Sequence, residues 1–233
     1  MAERTAGSIR ARVRAEIIDE IKHVARRHIA ADGAGLSLRA VARDMEMASS
    51  AIYRYFSSRD ELLTVLIIDA YHSMGEAAEE ADAAVADRTD LLGRWLTVAH
   101  SLRGWALARP HEFALIYGSP VPGYAAPQDT VGPSIRPMMV LGAILGHAQE
   151  SGRLPSGEPL PVPTALRAEI AKVAQTVSAE VSDAVMARAL VAWTELFGAL
   201  SFELFGRLNK TIDERHAWFD YQVRVMAGFV GLA

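Results

Sequence analysis

Residues 36–63 of the chain read LSLRAVARDMEMASSAIYRYFSSRDELL. Apolar residues recur at helical spacing in two short segments, residues 38–45 and 49–55, and a tight turn separates the segments. Ser58 and Glu61 then form a capping-box pattern, in which two side chains satisfy free amides at the start of a longer helix. Two short helices joined by a tight turn are the layout of a helix-turn-helix element, whose second helix lies in the DNA major groove.

The rest of the chain is also predicted to be helical. Helical periodicity dominates, and no segment has the period-two alternation of a half-buried strand. We therefore expect an all-α protein without an internal repeat. Its predicted domains are an N-terminal three-helix, helix-turn-helix DNA-binding domain in residues 1–58 and a larger helical ligand-binding and dimerisation domain in residues 59–233.

Nine or ten helices are predicted. Ser37 is placed to cap the second of them, and Thr211 with Glu214 forms a further capping box at the start of the last one. Pro133 and Pro137 are expected to confine regular helix to the later part of residues 130–150. The predicted helices are 9–31, 38–45, 49–55, 59–86, 90–108, 111–117, 130–150, 164–177, 182–208 and 211–228.

The composition narrows the class of protein. Of the 233 residues 51% are apolar and 22% are charged, which suits a globular core rather than disorder. The absence of cysteine excludes disulfides, thiolate zinc sites and thiol nucleophiles. The N-terminus has no signal-peptide core and no window approaches about 20 uncharged apolar residues, so a cytoplasmic protein without a membrane span is expected.

Patterns of catalysis and cofactor binding are missing from the sequence. No histidine pair has metal-ligand spacing beside a carboxylate, and no glycine-rich phosphate loop follows a strand. His111, Glu112 and His216 stand isolated. We therefore expect no enzyme activity, no cofactor and no metal site.

Charge is distributed unevenly along the chain. Residues 1–60 hold eleven Lys/Arg and eight Asp/Glu, a net charge of +3, whereas residues 61–233 hold thirteen and twenty, a net charge of −7. A mildly basic N-terminal part suits contact with DNA phosphates, although ordinary charge scatter explains the difference equally well.

The helix-turn-helix residues divide into a core set and a DNA-facing set. Arg54 is the one long donor on the second helix and so the best candidate to read guanine, while Ala51 can touch a thymine methyl. Arg39, Tyr53 and Arg59 are placed to reach phosphates, which gives affinity and register rather than sequence choice. The predicted core consists of Leu38, Val41, Ala42, Ile52, Tyr53 and Phe56 together with Ile21 and Ala25. The alternative is that the tyrosines and Phe56 only fill a helical bundle.

The segment IYRYFSSRDELL, residues 52–63, preceded by LRAVA at residues 38–42, resembles the signature of TetR/AcrR-type transcriptional repressors. The resemblance extends over roughly residues 25–70. It implies a DNA-facing set made of Ser37, Arg39, Ser49, Ser50, Ala51, Tyr53, Arg54, Tyr55 and Arg59.

Two positions depart from the family pattern. Glu46 stands where the turn usually has glycine, and it therefore needs a positive φ or a rearranged turn, at a cost of about 1 kcal/mol. Ala48 stands where the family has a serine or threonine cap, so Ser49 is the predicted replacement.

The C-terminal part resembles the WHG-type domain of some of these regulators in LARPH (107–111), YGSPVPGY (117–124) and WTELFG (193–198). The resemblance implies a pocket for a small molecule and a dimer built from the last two helices. Aromatic and Met side chains with a few polar groups suit an apolar ligand, although they suit a helical core equally well. The pocket candidates are Trp95, His100, Trp105, His111, Phe113, Tyr117, Tyr124, Met138, Met139 and Trp193, with the loop 118–129 as a pocket mouth or lid.

Helix 182–208 and the last helix are apolar on two sides, which indicates that one side of each is covered by a partner subunit. A monomer in which both helices are central is the alternative. A twofold operator favours the dimer, because it requires two reading heads about 34–36 Å apart. The interface candidates are Trp193, Phe197, Leu200, Leu204, Trp218, Phe219, Val223 and Met226.

The expected function is that of a homodimeric repressor that binds a palindromic operator and is released by a small, largely apolar effector. Helix 59–86 is the predicted lever between the two domains. The alternative is a helical DNA-binding protein without a small-molecule effector, regulated by another protein or architectural. That alternative is favoured if the C-terminal domain has no enclosed cavity above about 300 Å³.

Overall fold

The computed structural model describes residues 2–32, 35–154, 161–177 and 181–232. Within these ranges the protein is all-α, as predicted, with no strand. The nine α-helices of the described ranges are α1 Ala2–Asp32, α2 Leu38–Asp44, α3 Arg59–Ala84, α4 Leu91–Ala108, α5 Pro110–Tyr117, α6 Val131–Glu150, α7 Thr164–Thr176, α8 Asp183–Leu204 and α9 Arg215–Val230. Two short 3₁₀ helices, Ile52–Arg54 and Gln128–Thr130, accompany them.

The chain forms two compact units. The first comprises Met1–Ala70 and His111–Thr130, and the second comprises Tyr71–Pro110 and Val131–Ala233. Helix α3 contributes to both units, because the division falls between Ala70 and Tyr71. The predicted division between a DNA-binding domain up to residue 58 and a ligand-binding and dimerisation domain from residue 59 stays a prediction. No sequence pattern indicates that residues 111–130 belong to the first unit.

The first unit has the predicted three-helix core with one exception. The predicted core side chains other than Tyr53 are buried, with relative exposures of 5% or less. Tyr53 is 47% exposed, so its assignment to the core is wrong. Its neighbour Ile52 points inward instead, since adjacent residues of a tight helical turn lie on different sides.

The second helix of the helix-turn-helix is much shorter than predicted. We call residues 49–55 the reading turn: only Ile52–Arg54 is helical, and the helix is of the 3₁₀ type. Its N-cap is Ala51, which makes no side-chain cap hydrogen bond, so the prediction that Ser49 caps it is wrong. An uncapped start followed by β-branched and aromatic residues favours i→i+3 bonds, such as Arg54 N to Ala51 O at 3.1 Å.

Glu46 adopts the conformation that its place in the turn requires. Its φ is +54°, in the left-handed region, which confirms the first of the two turn geometries predicted for it. At Ser37 the backbone takes the extended conformation of an N-cap, φ −129° and ψ 120°, but the side chain makes no cap hydrogen bond. Ser37 is therefore the N-cap residue of α2, as predicted, but the side-chain cap expected of it does not form.

The second unit is a bundle in which α4, α6, α8 and α9 enclose the core. Helix α4 packs against α6, α8 and α9, and α8 packs against α6, α7 and α9. The indole of Trp95 in α4 donates a hydrogen bond of 3.1 Å to the Val223 carbonyl of α9, which satisfies a buried donor at the centre of the bundle.

Helix α8 is long and strongly apolar. By length and composition it is the one helix in the described ranges that is apolar enough to cross a membrane. Of its 18-residue apolar stretch, 39% is buried inside the protein. A helix at the centre of a folded domain meets the same criteria, and four helices pack against α8.

Three predicted helix boundaries in the second unit are wrong. Helix α6 begins at Val131 and contains Pro137, because Pro133 lies in the first turn, where no backbone amide is needed, and Pro137 is tolerated inside at the loss of one bond. Helix α8 ends at Leu204, before Gly206 with φ +71°. Helix α9 begins at Arg215 with Glu214 as an N-cap that makes no side-chain bond, so the predicted Thr211 capping box does not form.

Candidate DNA interface and ligand cavity

The DNA-facing residues predicted from the sequence lie in the first unit, and most of them are exposed. Six are exposed and three are half-buried. The exposed ones are Ser37, Arg39, Ser49, Ser50, Tyr53 and Arg54, and the half-buried ones are Ala51, Tyr55 and Arg59. An exposed arginine, tyrosine and several hydroxyls on a tight turn can contact base edges and phosphates without any loss of core packing.

Arg14 of α1 belongs to this surface, and the sequence reasoning missed it. Its guanidinium donates a hydrogen bond of 3.1 Å to the Arg54 carbonyl and lies over the Tyr55 ring, 5.1 Å from the centroid. Arg10 and Arg14 are four residues apart and thus on one side of α1, and both are exposed. The run RARVR at residues 10–14 was the available signal.

Arg59 has a structural contact as well as its predicted phosphate role. Its Nε donates a hydrogen bond of 3.1 Å to the Leu36 carbonyl, and its Nη1 lies 3.6 Å from Asp60. Arg59 thereby joins the entry of α2 to the start of α3. The role of Arg59 as a phosphate anchor stays a prediction.

The start of α3 is capped almost as predicted. The Glu61 amide donates a hydrogen bond of 3.1 Å to the Ser58 hydroxyl. The Glu61 carboxylate, however, accepts from Ser57 rather than from Ser58, at 2.6 Å from the amide and 2.7 Å from the hydroxyl. These bonds lower the pKa of Glu61, so the carboxylate stays ionised and fixes the connection between the reading turn and α3.

The second unit contains an apolar cavity. It is lined by α4, α6 and α8 together with Val177, and none of its lining side chains is charged. The lining residues are Trp95, Met138, Leu141, Gly142, Leu145, Val177, Met186, Ala189, Leu190 and Trp193. Three of the ten pocket candidates, Trp95, Met138 and Trp193, are among them.

The cavity is narrow. Its enclosed volume is only about 20 Å³, and the wider empty space of about 340 Å³ is partly open to solvent. The enclosed space is therefore below the predicted threshold of about 300 Å³ and holds little more than one water molecule. A ligand can enter only if flexible side chains such as Met138, Met186 and Leu190 move apart.

The other seven pocket candidates lie elsewhere. His111, Phe113, Tyr117 and Tyr124 belong to the first unit, and neither they nor the loop 118–129 are among the lining residues of this cavity. In the second unit, the Trp105 indole donates to Ser73 Oγ at 3.0 Å, Met139 is 37% exposed, and His100 pairs with Asp220 at 3.0 Å and stacks on His216. Aromatic composition alone does not separate these structural roles from ligand contact.

The predicted dimer residues are mostly core residues. Phe197, Leu200, Phe219, Val223 and Met226 are at most 7% exposed within one subunit, and such side chains have little surface to offer a partner. Trp193, Leu204 and Trp218 are half-buried. A helical periodicity reveals two apolar sides but not which of them faces inward.

A different set of apolar side chains is exposed on the last two helices and at Phe205, the residue directly after α8. We call this set the outer face: its members are between 45% and 60% exposed. They are Val191, Phe202, Phe205, Tyr221, Val225 and Phe229.

The chain matches two family models in sequence. Residues 21–66 match the model of bacterial regulatory proteins of the tetR family, and residues 95–226 match the model of the tetracyclin repressor-like C-terminal domain. The chain is also 38% identical over 226 residues to the HTH-type transcriptional regulator Rv1816 of Mycobacterium tuberculosis, covering 91% of this chain and 92% of that protein. The chain belongs to the TetR family of transcriptional regulators.

Solved structures agree with the TetR-family fold. The crystal structure of the regulatory protein SCO4313 superposes with a TM-score of 0.74 at 34% identity, covering 94% of this chain and 98% of that one. RolR in complex with resorcinol shares the fold with a TM-score of 0.52 at 16% identity, covering 95% of each chain. This TetR-family chain thus has a helix-turn-helix DNA-binding domain and a helical C-terminal domain.

Proposed function

We propose that this TetR-family regulator is a cytoplasmic, non-catalytic homodimeric repressor that binds a palindromic operator and releases it when a small, uncharged, largely apolar effector enters the second unit. The observation that carries the proposal is the exposure of Arg54, Tyr53 and the serines of the reading turn beside the buried core of the first unit. These exposed side chains contribute little to the core, and contact with base edges and phosphates accounts for their place on the tight turn.

The outer face supports the dimer. Five large apolar side chains are exposed on the neighbouring helices α8 and α9, and Phe205 follows α8 directly. Exposed apolar side chains grouped in this way indicate an interaction site. A second copy of the same face is the simplest partner, because a twofold operator requires two reading turns at a fixed separation of about 34–36 Å.

The cavity of the second unit supports the effector. Its lining is apolar and contains two methionines and two tryptophans, which suits a small ring compound without charge. RolR, which shares the fold, has resorcinol bound, a compound of this kind. Release of DNA requires that the effector bind the conformation with poor operator affinity better than the other, since equal affinity shifts nothing.

The proposal predicts a specific loss when Arg54 is removed. The wild-type protein first selects an operator from a random library of double-stranded DNA. Arg54→Ala is expected to raise the operator Kd roughly 5- to 150-fold, the equivalent of ~1–3 kcal/mol for one bidentate base contact. Arg167→Ala, an exposed arginine of α7 in the second unit, is the control and should leave the Kd unchanged. Equal affinities of both variants would remove Arg54 as a reader.

The small size of the cavity favours a second candidate, a DNA-binding regulator without a small-molecule effector. Resorcinol and other uncharged ring compounds serve as probes in thermal shift and operator-release measurements. The effector model predicts stabilisation and release in the wild type and neither in Ala189→Leu, which fills the cavity. A complete absence of binding and release favours the second candidate, whereas release that is equal in both proteins would place the effector site outside this cavity.

A further inference from the structure

The connection between α5 and α6 contains a well-defined turn. The Tyr124 amide donates a hydrogen bond of 3.1 Å to the Val121 carbonyl, which closes a four-residue β-turn. Pro122 and Gly123 occupy its two central positions, and Gly123 has a φ of +76°. Proline followed by a glycine with positive φ is the pattern of a type II turn, so the sequence VPGY specifies this shape.

Both ends of this turn reach the core of the helix-turn-helix domain. Val121 is 8% exposed and belongs to the same apolar cluster as Ile52, Phe56 and Leu63. Tyr124 packs against that cluster from its margin, and Leu115 of α5 does the same. A segment more than 50 residues beyond the reading turn in sequence is therefore part of its supporting core.

The polar end of Tyr124 makes a directed contact with α3. Its hydroxyl lies 2.9 Å from Thr64 Oγ1, and Thr64 Oγ1 in turn donates to the Asp60 carbonyl at 2.8 Å. Because a threonine hydroxyl has one proton, the Tyr124 hydroxyl must be the donor to Thr64. The bond falls in the second turn of α3, directly after the Ser57, Ser58 and Glu61 contacts that connect the helix to the reading turn.

A second contact comes from α5. Glu112 lies 3.7 Å from Arg26 Nε of α1, and Arg26 also donates to Asp69 of α3 at 2.8 Å. Residues 111–124 thus touch both of the long helices that flank the reading turn. No such contact follows from the sequence motif, which ends at Leu63.

We propose that residues 118–124, the strap, position the reading turn for DNA binding, with Tyr124 and Val121 as positioning residues. The proposal rests on the operator binding proposed above. The strap holds the first turns of α3, and α3 holds the reading turn through its capped start. Loosening the strap lowers the fraction of molecules with a binding-competent reading turn, and the apparent operator Kd rises in proportion.

The chain offers a matched pair of glycines for the test. Gly123 and Gly152 both have positive φ, +76° and +65°, and at both positions an added Cβ meets no atom within 4 Å. Alanine therefore introduces similar backbone strain at both. Gly152 lies in the second unit, after α6, and serves as the control.

Operator Kd and thermal midpoint are measured for the full-length wild type, Gly123→Ala and Gly152→Ala, with the operator that the wild type selects from a random library. We expect Gly123→Ala to raise the Kd severalfold, up to about fivefold, the factor that corresponds to ~1 kcal/mol. Gly152→Ala should keep the wild-type Kd, although its thermal midpoint should fall by about as much as that of Gly123→Ala. If the strap contributes to stability alone, both variants have a lower thermal midpoint and the wild-type Kd. That outcome overturns the proposal.

A double-mutant cycle with Tyr124→Phe and Thr64→Val provides the second readout. If the hydroxyl contact positions α3, Tyr124→Phe weakens operator binding in the wild type and has no further effect once Thr64 is valine. Additive effects on the Kd would overturn the role of this contact.

Failure of the strap and failure of the proposed function give different results. If the wild type selects no DNA sequence, operator binding itself is wrong and the strap proposal with it. If the wild type selects an operator and Arg54→Ala weakens it while Gly123→Ala and Tyr124→Phe do not, the proposed function stands and the strap proposal is wrong.

Discussion

At the scale of single residues, the turn between α2 and the reading turn concentrates its strain at Glu46. A residue with a side chain at φ +54° pays roughly 1–2 kcal/mol relative to an ordinary conformation. The neighbouring backbone bonds, Glu46 N to Arg43 O at 3.0 Å and Met47 N to Ala42 O at 2.8 Å, hold the residue there. Glu46 is exposed, so nothing about its side chain requires this conformation.

Glu46→Gly is therefore expected to raise the free energy of unfolding by up to about 1 kcal/mol, because glycine adopts positive φ without a steric penalty. Arg43→Gly, three residues earlier and inside α2, is the control and should lower it by about 1 kcal/mol. Urea denaturation measures both. A loss of stability in Glu46→Gly would show that the glutamate side chain has a stabilising contact in the turn.

At the same scale, the sequence predicted positions better than contacts. A positive φ at Glu46, one of the two predicted turn geometries, followed from its place in the turn, and the buried partners of the helix-turn-helix other than Tyr53 followed from helical spacing. The exchange of Ser57 for Ser58 as the partner of Glu61, and the contact of Arg14 with Arg54 and Tyr55, depend on side-chain geometry that spacing does not contain.

At the scale of helices, α8 and α9 show why amphipathic patterns locate helices more reliably than faces. Both helices have apolar residues on two sides, and the pattern does not say which side is inside. The structure buries Phe219, Val223 and Met226 and leaves Phe202 and Val225 exposed by 56% and 48%. The helix in residues 49–55 was overpredicted for a related reason: a pattern of only seven residues is too short to separate an α-helix from a 3₁₀ helix between two turns.

The outer face yields a prediction at this scale. Phe202→Glu and Val225→Glu should each weaken the dimer by at least about tenfold, because a charge placed in an apolar interface loses its hydration. Leu107→Glu, on α4 of the same unit and 43% exposed, makes the same chemical change away from the outer face and should not alter assembly. Analytical ultracentrifugation measures the dissociation constants. Monomeric wild-type protein, or equal weakening by all three substitutions, would contradict the proposed interface.

At the scale of the whole molecule, the fold draws on parts of the chain that local patterns keep separate. The family signature ends near residue 70, yet residues 111–130 complete the first unit. The sequence placed the loop 118–129 at a pocket because loops often carry function, whereas VPGY is a turn signal that specifies shape but names no partner. Only tertiary packing shows that Val121 faces the core of the DNA-binding unit.

Ion pairs within the second unit give the molecule a defined response to acid. Burial alone would raise the pKa of Asp82, but hydrogen bonds from Arg94 and Arg88 outweigh it, and the pKa of Asp82 is lowered. The Arg136 guanidinium lowers the pKa of Glu79 in the same way. A carboxylate whose folded pKa is lowered stabilises the fold fully above its unfolded value and loses this contribution as pH falls through the folded value.

We therefore expect the thermal midpoint to hold above the unfolded carboxylate values, close to pH 4, and to fall steeply below them. Asp82→Asn should remove part of this acid dependence and lower the unfolding free energy at neutral pH by about 3–5 kcal/mol, because fully buried Arg94 loses its charge partner. Glu79→Gln, at a more exposed pair, should cost much less. A midpoint in Asp82→Asn that equals the wild type at pH 7 would contradict this account of the pair.

The most direct test of the central claim is the selection of DNA by the full-length protein, followed by footprinting of the selected sequences. Two reading turns fixed in a dimer predict an inverted repeat whose half-sites are centred about 34–36 Å apart, one turn of the duplex, or a whole multiple of it. Protection should cover both half-sites at once and should require a higher protein concentration with Arg54→Ala. Enrichment of no sequence, or of single half-sites without a fixed spacing, would contradict the account.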